Sequence, residues 1–174
     1  MNGLCLKIFV FFVVAFLGAC QNNVRPEIVP AVVKPVTSHQ LGVIGEVEPV
    51  YFLPMKSPFP SRIDTGAETS SIDAKNVKSF ERDGEKWVAF TVINRDTNES
   101  YRFEKPLKRK VSIRRSGKNE DRKVVIMDIR IGGQNVKEEF TLANRNDFDY
   151  QGLIGRNVLT GRAIVDTSLS NTLH

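Results

Sequence analysis

The sequence is poor in the residues that most often carry metal, thiol or disulfide chemistry. It has two cysteines, two histidines and one tryptophan in 174 residues. Cys5 lies in an N-terminal apolar segment that we expect to be removed, so Cys20 would remain alone and no intrachain disulfide could form. No His-Glu-x-x-His motif occurs, and a catalytic zinc ion usually needs three protein ligands. The sequence therefore predicts no metal site.

Motifs for nucleotides and nucleic acids are also missing. There is no Gly-x-x-x-x-Gly-Lys-Ser/Thr loop that would hold the phosphates of ATP. Lysine and arginine number 25 against 20 acidic residues, and loss of Lys7 with the leader leaves a charge of about +4. This charge favours an anionic membrane surface or an acidic substrate. Without an RNA- or DNA-binding motif it does not indicate a nucleic-acid partner, and we predict no cofactor.

Residues 1–19 are predicted to form a lipoprotein signal peptide. Lys7 precedes the apolar run Ile8–Phe16, which is shorter than the roughly 20 residues that span a bilayer core. The small residues before Cys20 resemble a bacterial lipobox. This resemblance implies cleavage before Cys20, lipid attachment to its thiol and a periplasm-facing anchor in the bacterial cell envelope. An ordinary secretory leader, with Cys20 incidental, is the alternative.

The remaining chain divides into a tether and one domain. Residues 20–40 contain Pro26, Pro30 and Pro35 and show no helical or strand period, which predicts a flexible tether. Residues 41–174 are long enough for a single domain with a hydrophobic core.

The pattern of this domain predicts an all-β fold. Short runs of aromatic and β-branched residues alternate with turn signals such as Asp83-Gly84 and Gly132-Gly133, which predict hairpins. A third hairpin is expected around Ser116–Asn119. The one predicted helix is short, runs from Arg156 to Leu159 and ends at Gly161. Strands of this length and spacing are typical of a small closed barrel.

Two segments can build an active site together. Asp64-Thr65-Gly66-Ala67 can present a carboxylate on a tight loop, because Gly66 allows close approach of the backbone and the Thr65 hydroxyl can brace the turn. Leu153-Ile154-Gly155 offers two apolar residues and a glycine that can pass beneath this loop. Two carboxylates about 3 Å apart cannot both ionise, so such a pair shares one proton and can activate water.

These motifs resemble the retropepsins, the retroviral-type aspartic peptidases. More narrowly, the chain is similar to a bacterial retropepsin-like family that many genomes label "ATP-dependent zinc protease". The match covers nearly all of residues 41–168 and is carried by four segments. They are Ile44-Gly45, Ile63–Ala74, Gly155–Gly161 and Val165-Asp166.

The resemblance implies a fold, an activity and a set of roles. It implies an acid-protease barrel that hydrolyses peptide bonds as an aspartic endopeptidase, and a homodimer in which each chain contributes Asp64. It also implies that Glu68 and Arg156 form an ion pair between the active-site loop and the helix. Thr65, Gly66 and Ala67 would support the loop.

Five alternatives remain open on the sequence. Glu68 and Arg156 could both be solvated surface charges rather than an ion pair. Asp166-Thr167 could supply a second carboxylate within the chain, although it lacks the glycine and stands where the last strand should end. The barrel could be a non-catalytic module that binds a peptide or an envelope partner. The substrate could be a glutamyl or cell-wall peptide rather than a protein. The basic segment 108–123 could be a flap over the substrate or a solvated edge hairpin.

Overall fold

The computed structural model describes residues 39–115 and 118–174, and it describes the side chains of these residues except for 113–119. The predicted signal peptide, the predicted lipidation site Cys20 and residues 20–38 of the predicted tether lie outside the described residues. Within the described ranges, no helix has the length and apolar character needed to cross a membrane.

The described residues form twelve strands and one short helix. In chain order they are β1 Gly42–Ile44, β2 Val47–Phe52, β3 Phe59–Ile63, β4 Ser70–Asp73, β5 Lys75–Arg82, β6 Glu85–Ile93, β7 Ser100–Pro106, β8 Arg109–Arg115, β9 Lys118–Ile131, β10 Gln134–Ala143, β11 Gly152–Ile154, α1 Arg156–Leu159 and β12 Ala163–Val165.

Six of these strands close into a barrel in the order β10, β4, β11, β3, β2, β9. The ring closes because β9 pairs with β10 as well as with β2. Two of its pairings are parallel, β3 with β11 and β4 with β10. The all-β closed barrel with one short helix is therefore confirmed.

The predicted hairpins are present in the strand pairing. Asp83-Gly84 joins β5 to β6, and with β7 these strands form a separate three-stranded sheet. Gly132-Gly133 joins β9 to β10 within the barrel. β8 pairs antiparallel with β9 over its whole length, and the tip between them, residues 116–117, lies outside the described residues.

Aromatic side chains fill the centre of the barrel. Phe52 makes edge-on contacts with Phe59 and Phe140, with ring centroids 5.2 and 5.5 Å apart. All three are buried, together with Ile63 and Ile154 at the ends of β3 and β11. Burial of several large apolar side chains, each contributing about 1.5–3 kcal/mol, fixes these two strand ends relative to the rest of the barrel.

The C-terminal residues lie against the beginning of the domain. The N–H of Glu46 donates to the Leu169 carbonyl, and the N–H of Asn171 donates to the Val47 carbonyl. The carboxylate of Glu48, which is fully buried, accepts hydrogen bonds from Gly45, Thr172 and Leu173. The last residues are thus held by the second strand.

Candidate active site

The loop that carries Asp64 begins where two parallel strands end together. Ile63, the last residue of β3, is in register with Ile154, the last residue of β11. The N–H of Asp64 donates to the Ile154 carbonyl at 2.9 Å. The two predicted segments, about ninety residues apart in sequence, therefore leave the barrel side by side.

The Asp64 carboxylate is held by the backbone that follows it. Its Oδ1 atom accepts the N–H groups of Gly66 at 2.9 Å and Ala67 at 3.1 Å. A Cβ on residue 66 would lie 3.1 Å from the same oxygen, so glycine allows the loop to fold this tightly. Among the described residues, both hydrogen bonds to this half-buried carboxylate end on Oδ1, and Oδ2 accepts none. Oδ2 is therefore available for other contacts.

Gly155 lies directly beneath this loop. A Cβ at this position would be 2.9 Å from the Ala67 carbonyl oxygen and 3.0 Å from the Thr69 carbonyl carbon, both of them backbone atoms. The following residues continue the contact, because the Arg156 N–H donates to the Ala67 carbonyl and the Asn157 N–H to the Glu68 carbonyl. The start of α1 and the loop are thus bonded main chain to main chain.

Ser70 and Asn157 fix the end of the loop. The Asn157 side-chain oxygen accepts both the N–H and the hydroxyl of Ser70, at 2.9 and 2.8 Å. The Ser70 hydroxyl oxygen in turn accepts the N–H of Gly155, and the Asn157 amide donates to the Glu139 carbonyl. Since Ser70 is fully buried, these bonds have no competition from water.

The prediction of an ion pair between Glu68 and Arg156 is wrong, because the described residues do not form this pair. Arg156 instead donates from Nη1 to the carbonyl oxygens of Thr65 at 3.1 Å and Gly66 at 2.7 Å. Both charged side chains are exposed, so water solvates the Glu68 carboxylate while the guanidinium reaches the nearer loop carbonyls. Arg156 still ties the loop to the helix, by a different contact.

The expectation for Thr65 also changes. Its side chain is exposed, and in the described part of the chain its hydroxyl braces nothing; only its carbonyl is used, by Arg156. The turn does not need the hydroxyl, because the Asp64 carboxylate already accepts the two N–H groups that close it.

Residues 43–173 match the family model RimB-like, described as retropepsin-like aspartic endopeptidase RimB. The chain belongs to this family. The matched range contains the Asp64 loop, the barrel and the short helix.

Similar proteins include several curated relatives and a solved structure. Relatives described as "Probable alpha-L-glutamate ligase" are 36% identical over 132 residues in Shewanella pealeana and 35% identical over 135 residues in Desulfotalea psychrophila. These matches cover 74% and 75% of this chain. A protein of unknown function from Legionella pneumophila is 29% identical with a TM-score of 0.66, over 75% of this chain and 97% of that one. The RimB-like chain spans only 29% of the length of the two ligase relatives.

A cavity of about 350 Å³ lies beside the Asp64 loop of the RimB-like domain. It is lined by residues of the loop, of the β8–β9 hairpin, of the barrel strands and of the segment after β10. The lining residues are Ala67, Glu68, Thr69, Ser71, Val111, Arg122, Thr141, Arg145 and Leu153. The basic hairpin, for which the sequence allows a flap or a solvated edge, thus contributes two residues to a cavity next to the site.

A buried charged network supports Arg145 behind this cavity. Asp73, 1% exposed, accepts the Arg145 N–H at 2.9 Å and pairs with Lys75 and Arg95 at 2.9 and 3.1 Å. Burial raises the pKa of Asp73, but the Arg145 N–H and the two cations together lower it further, so the pKa lies below the usual range. The ionised Asp73 therefore fixes the segment that positions Arg145.

The Arg145 side chain is itself held in place. Its Nε donates to the Tyr150 carbonyl and its Nη1 to the Ser71 hydroxyl, and the guanidinium lies 4.4 Å from the centroid of the Phe148 ring. Arg145 is buried, so the positive charge at this wall of the cavity is fixed in position.

Asp166 lies in a separate turn just after β12, where the sequence predicted the last strand to end. Its Oδ1 accepts the N–H and the hydroxyl of Ser168 at 2.9 and 2.7 Å, and its own N–H donates to the Ile44 carbonyl. The Ser168 hydroxyl and N–H lower the pKa of this exposed carboxyl. No described hydrogen bond joins this turn to the Asp64 loop.

Sequence reasoning missed several residues of the site. Ser70 and Asn157 lie within the segments that carry the family resemblance, but nothing local marks them as partners. Arg122 lies in the basic segment 108–123, where the sequence does not distinguish it from the other cations, and no sequence pattern marks Arg145. The position of Asn157 directly after Gly155-Arg156 could have marked it as a site residue, although not as the partner of Ser70.

The described residues offer no metal centre. No group of three or more His, Cys, Asp or Glu side chains within the described ranges is placed to hold an ion.

Proposed function

We propose that this protein is an aspartic endopeptidase whose active site pairs Asp64 of one chain with Asp64 of a second chain. The observation that carries this proposal is the Asp64 carboxylate itself. It stands on a loop fixed by Gly155, Ser70 and Asn157, with one oxygen held by two backbone N–H groups and the other oxygen free of described donors. Membership of the RimB-like family supports the same reaction class.

The chemistry follows from two such carboxylates sharing one proton. The ionised carboxylate takes a proton from a water molecule as the water oxygen attacks the peptide carbonyl carbon. The protonated carboxylate donates a hydrogen bond to the carbonyl oxygen, and a proton then passes to the departing amine nitrogen as the C–N bond breaks. This mechanism requires no cofactor. A chelator is therefore expected to leave the rate unchanged.

A second copy of the chain is supported by the single Asp-Thr-Gly sequence and by an exposed apolar patch. Val43 on β1 is paired with Ile164 on β12, and their side chains are 51% and 54% exposed. The end of β1 is connected to the approach to the loop, because Ile63, just before Asp64, donates its N–H to the carbonyl of Glu46, two residues after β1. Such a patch is a candidate surface for contact between copies.

Mixing two forms of the protein tests this arrangement. Excess Asp64→Asn protein, added to wild type at a fixed concentration, should lower the cleavage rate because mixed dimers have only one ionisable carboxylate in the site. Asp166→Asn protein at the same concentrations is the matched control: it retains Asp64, so it should add its own activity and raise the total rate. A wild-type rate that is insensitive to excess Asp64→Asn protein, from material that sediments as a monomer, would contradict the two-chain site.

We propose acidic, glutamyl-containing peptides as the substrate class. The relatives that share this domain are named for glutamate ligation. The cavity beside Asp64 supports the same preference, since it is lined by two arginines and one glutamate. The β8–β9 hairpin, which contributes Val111 and Arg122 to its lining, would act as the flap that encloses the peptide.

Digestion of a mixed peptide library tests the activity and the substrate class together. Wild type is expected to cleave peptide bonds near glutamate residues, and Asp64→Ala is expected to cleave none. Equal cleavage by both proteins would contradict the proposed mechanism, whatever the sequence of the products.

A non-catalytic binding module is the second candidate, favoured by one observation. In the curated relatives the matched region is less than a third of a longer protein, and the name of that protein describes glutamate ligation rather than peptide cleavage. A binding module would hold glutamyl peptides without cutting them. Tight binding of library peptides by wild type, with every peptide recovered intact, would select this candidate.

We also propose that the protein is lipid-anchored through Cys20 and faces the periplasm of a bacterial cell envelope. The lipobox-like sequence before Cys20 supports this placement. Labelled palmitate should enter the wild-type protein in the membrane fraction, whereas Cys20→Ser should be unlabelled. Equal labelling of both proteins would contradict the assignment.

A further inference from the structure

We propose that Arg122 is the residue that selects an acidic side chain of the substrate, and that Glu120 occupies its binding position in the free protein. This inference rests on the proposed peptidase function, since it concerns the cavity beside the Asp64 loop. It assigns a role in specificity to a residue of the β8–β9 hairpin.

The first observation is an unsatisfied donor on a buried cation. The Arg122 side chain is 10% exposed and lines the cavity. Its Nη2 donates to the Glu120 carboxylate at 2.7 Å, but its buried Nε–H has no acceptor among the described residues. Buried polar groups nearly always have a hydrogen-bond partner, and leaving one without an acceptor is costly. A ligand that supplied the missing acceptor would bind with correspondingly greater affinity.

The second observation is the shape and charge of the cavity. Its volume of about 350 Å³ falls within the roughly 300–1,000 Å³ that is usual for ligand sites. Arg145 adds a second positive charge in a fixed position, while Glu68 is the one acidic residue of the lining. The cavity therefore favours an anionic group over a neutral one.

The third observation is the position of Glu120. It is on the same strand as Arg122, two residues away, and its side chain is 40% exposed. It can therefore move its carboxylate into water without a change in the strand. A guanidinium binds a carboxylate best through two parallel N–H groups, and Nε with Nη2 forms such a pair. A substrate carboxylate that replaces Glu120 would satisfy both of these donors.

Arg122 and Glu120 should then have opposite effects on selectivity. The measurement is the ratio of kcat/KM for two peptides that differ only by glutamate or glutamine at the preferred position. We expect wild type to favour the glutamate peptide by about ten- to a hundredfold, the usual range for one charge-assisted contact. Arg122→Gln should bring the ratio close to one, Arg122→Lys should restore only part of it, and Glu120→Gln should raise it.

A matched control separates local recognition from general charge. Arg102 is an exposed arginine on β7, in the separate three-stranded sheet, and its nearest acidic partner is Glu104 at 3.6 Å. Arg102→Gln removes the same charge from the molecule and should leave the glutamate-to-glutamine ratio as in wild type. A similar fall in the ratio for Arg102→Gln and Arg122→Gln would overturn the assignment.

Binding to an inactive protein separates this inference from the proposed function. The same two peptides are titrated by calorimetry into Asp64→Asn protein, with and without Arg122→Gln. Preference for the glutamate peptide that depends on Arg122 supports the subsite, even where wild type cleaves neither peptide. Cleavage by wild type with no preference for glutamate, or with a preference that Arg122→Gln leaves intact, would overturn it.

Discussion

Two of the Asp-Thr turns in the described residues, at Asp64 and at Asp166, are locally alike and differ in what surrounds them. Asp64 accepts the N–H groups of Gly66 and Ala67, and Asp166 accepts the N–H and hydroxyl of Ser168. In both, the aspartate closes its own turn, as this residue often does. The Asp64 loop is also bonded to Ile154, Arg156 and Asn157. The exposed Asp166 turn is tied to the domain by two main-chain bonds, from its own N–H to the Ile44 carbonyl and from the Glu46 N–H to the Leu169 carbonyl.

This difference shows which property makes a carboxylate fit for catalysis. The hydrogen bonds of the local turn orient one carboxylate oxygen of the aspartate, and a sequence of three or four residues is enough to form them. Contacts from a distant part of the chain hold the loop rigid, and those contacts require the closed barrel. The Asp166 turn has the same local hydrogen bonds, but among the described residues it lacks a segment like Gly155–Asn157 beneath it and stays exposed on the surface.

The largest expected difference between the turns is in activity. Asp64→Asn keeps the shape of the turn and removes the ionisable group, so kcat/KM for the best library peptide should fall by at least about a thousandfold. Asp166→Asn should retain the wild-type value. A comparable loss of activity in both variants would indicate that Asp166 takes part in the reaction and would support a pair of Asp64 and Asp166 within one chain.

The next largest effect is expected at the glycine beneath the Asp64 loop. Gly155→Ala places a methyl group within 2.9 Å of backbone that cannot move freely, and overpacking of this kind costs about 1–3 kcal/mol. Thermal unfolding should show a melting temperature several degrees lower, with reduced activity in the folded protein. A melting temperature equal to that of wild type would mean that the loop adapts easily.

The two turns can be compared by the same substitution, serine to alanine, at Ser70 and at Ser168. Ser70→Ala removes a buried hydroxyl and leaves the Gly155 N–H without its acceptor, so it should lower the free energy of unfolding by about 1–2 kcal/mol. Ser168→Ala removes an exposed hydroxyl and should stay within about 0.5 kcal/mol of wild type. Denaturant unfolding measures both. Equal losses would contradict the distinction between the turns.

A smaller effect is expected where the predicted ion pair was replaced by carbonyl contacts. Arg156→Ala should lower the free energy of unfolding by about 0.5–1.5 kcal/mol, because two hydrogen bonds to the loop are lost. Glu68→Gln should have no measurable effect, and the double variant should match the sum of the two. A coupling energy above about 0.5 kcal/mol between these positions would restore the ion pair.

The smallest effect concerns the protonation of Asp166. The Ser168 hydroxyl and N–H depress the pKa of this carboxyl in the folded state, so its ionised form is favoured. The associated stability is present above the unfolded-state pKa and is lost as the pH falls through the folded-state value. An NMR titration should place the midpoint below the usual aspartate range, and Ser168→Ala should move it upward. An unshifted midpoint in wild type would contradict the hydrogen bonds.

The sequence was most informative where structure depends on neighbouring residues. Asp83-Gly84 and Gly132-Gly133 predicted hairpins because the backbone conformations they adopt suit few other residues. The short helix from Arg156 to Leu159 was correct to the residue. A closed barrel followed from the length and spacing of the strands.

The contacts that complete the site depend on strand pairing, which local patterns do not specify. The parallel register of β3 with β11 brings Asp64 to Ile154, and the partners Ser70 and Asn157 are 87 residues apart. The choice of Arg156 between the Glu68 carboxylate and two loop carbonyls depends on the exposure of both side chains and on the local geometry of the loop. The same applies to Arg122, which stood among many cations in the sequence and is distinguished only by its burial.

The buried Glu48 carboxylate should make the attachment of the last residues of the chain dependent on pH. Burial raises its pKa, but hydrogen bonds from Thr172, Leu173 and Gly45 lower it further, so Glu48 is ionised over most of the ordinary pH range. Protonation removes the negative charge to which these donors are directed, and stability is lost as the pH falls through the folded-state pKa. The C-terminal segment is therefore the part of the domain that we expect to detach first in an acidified compartment, before the barrel itself opens.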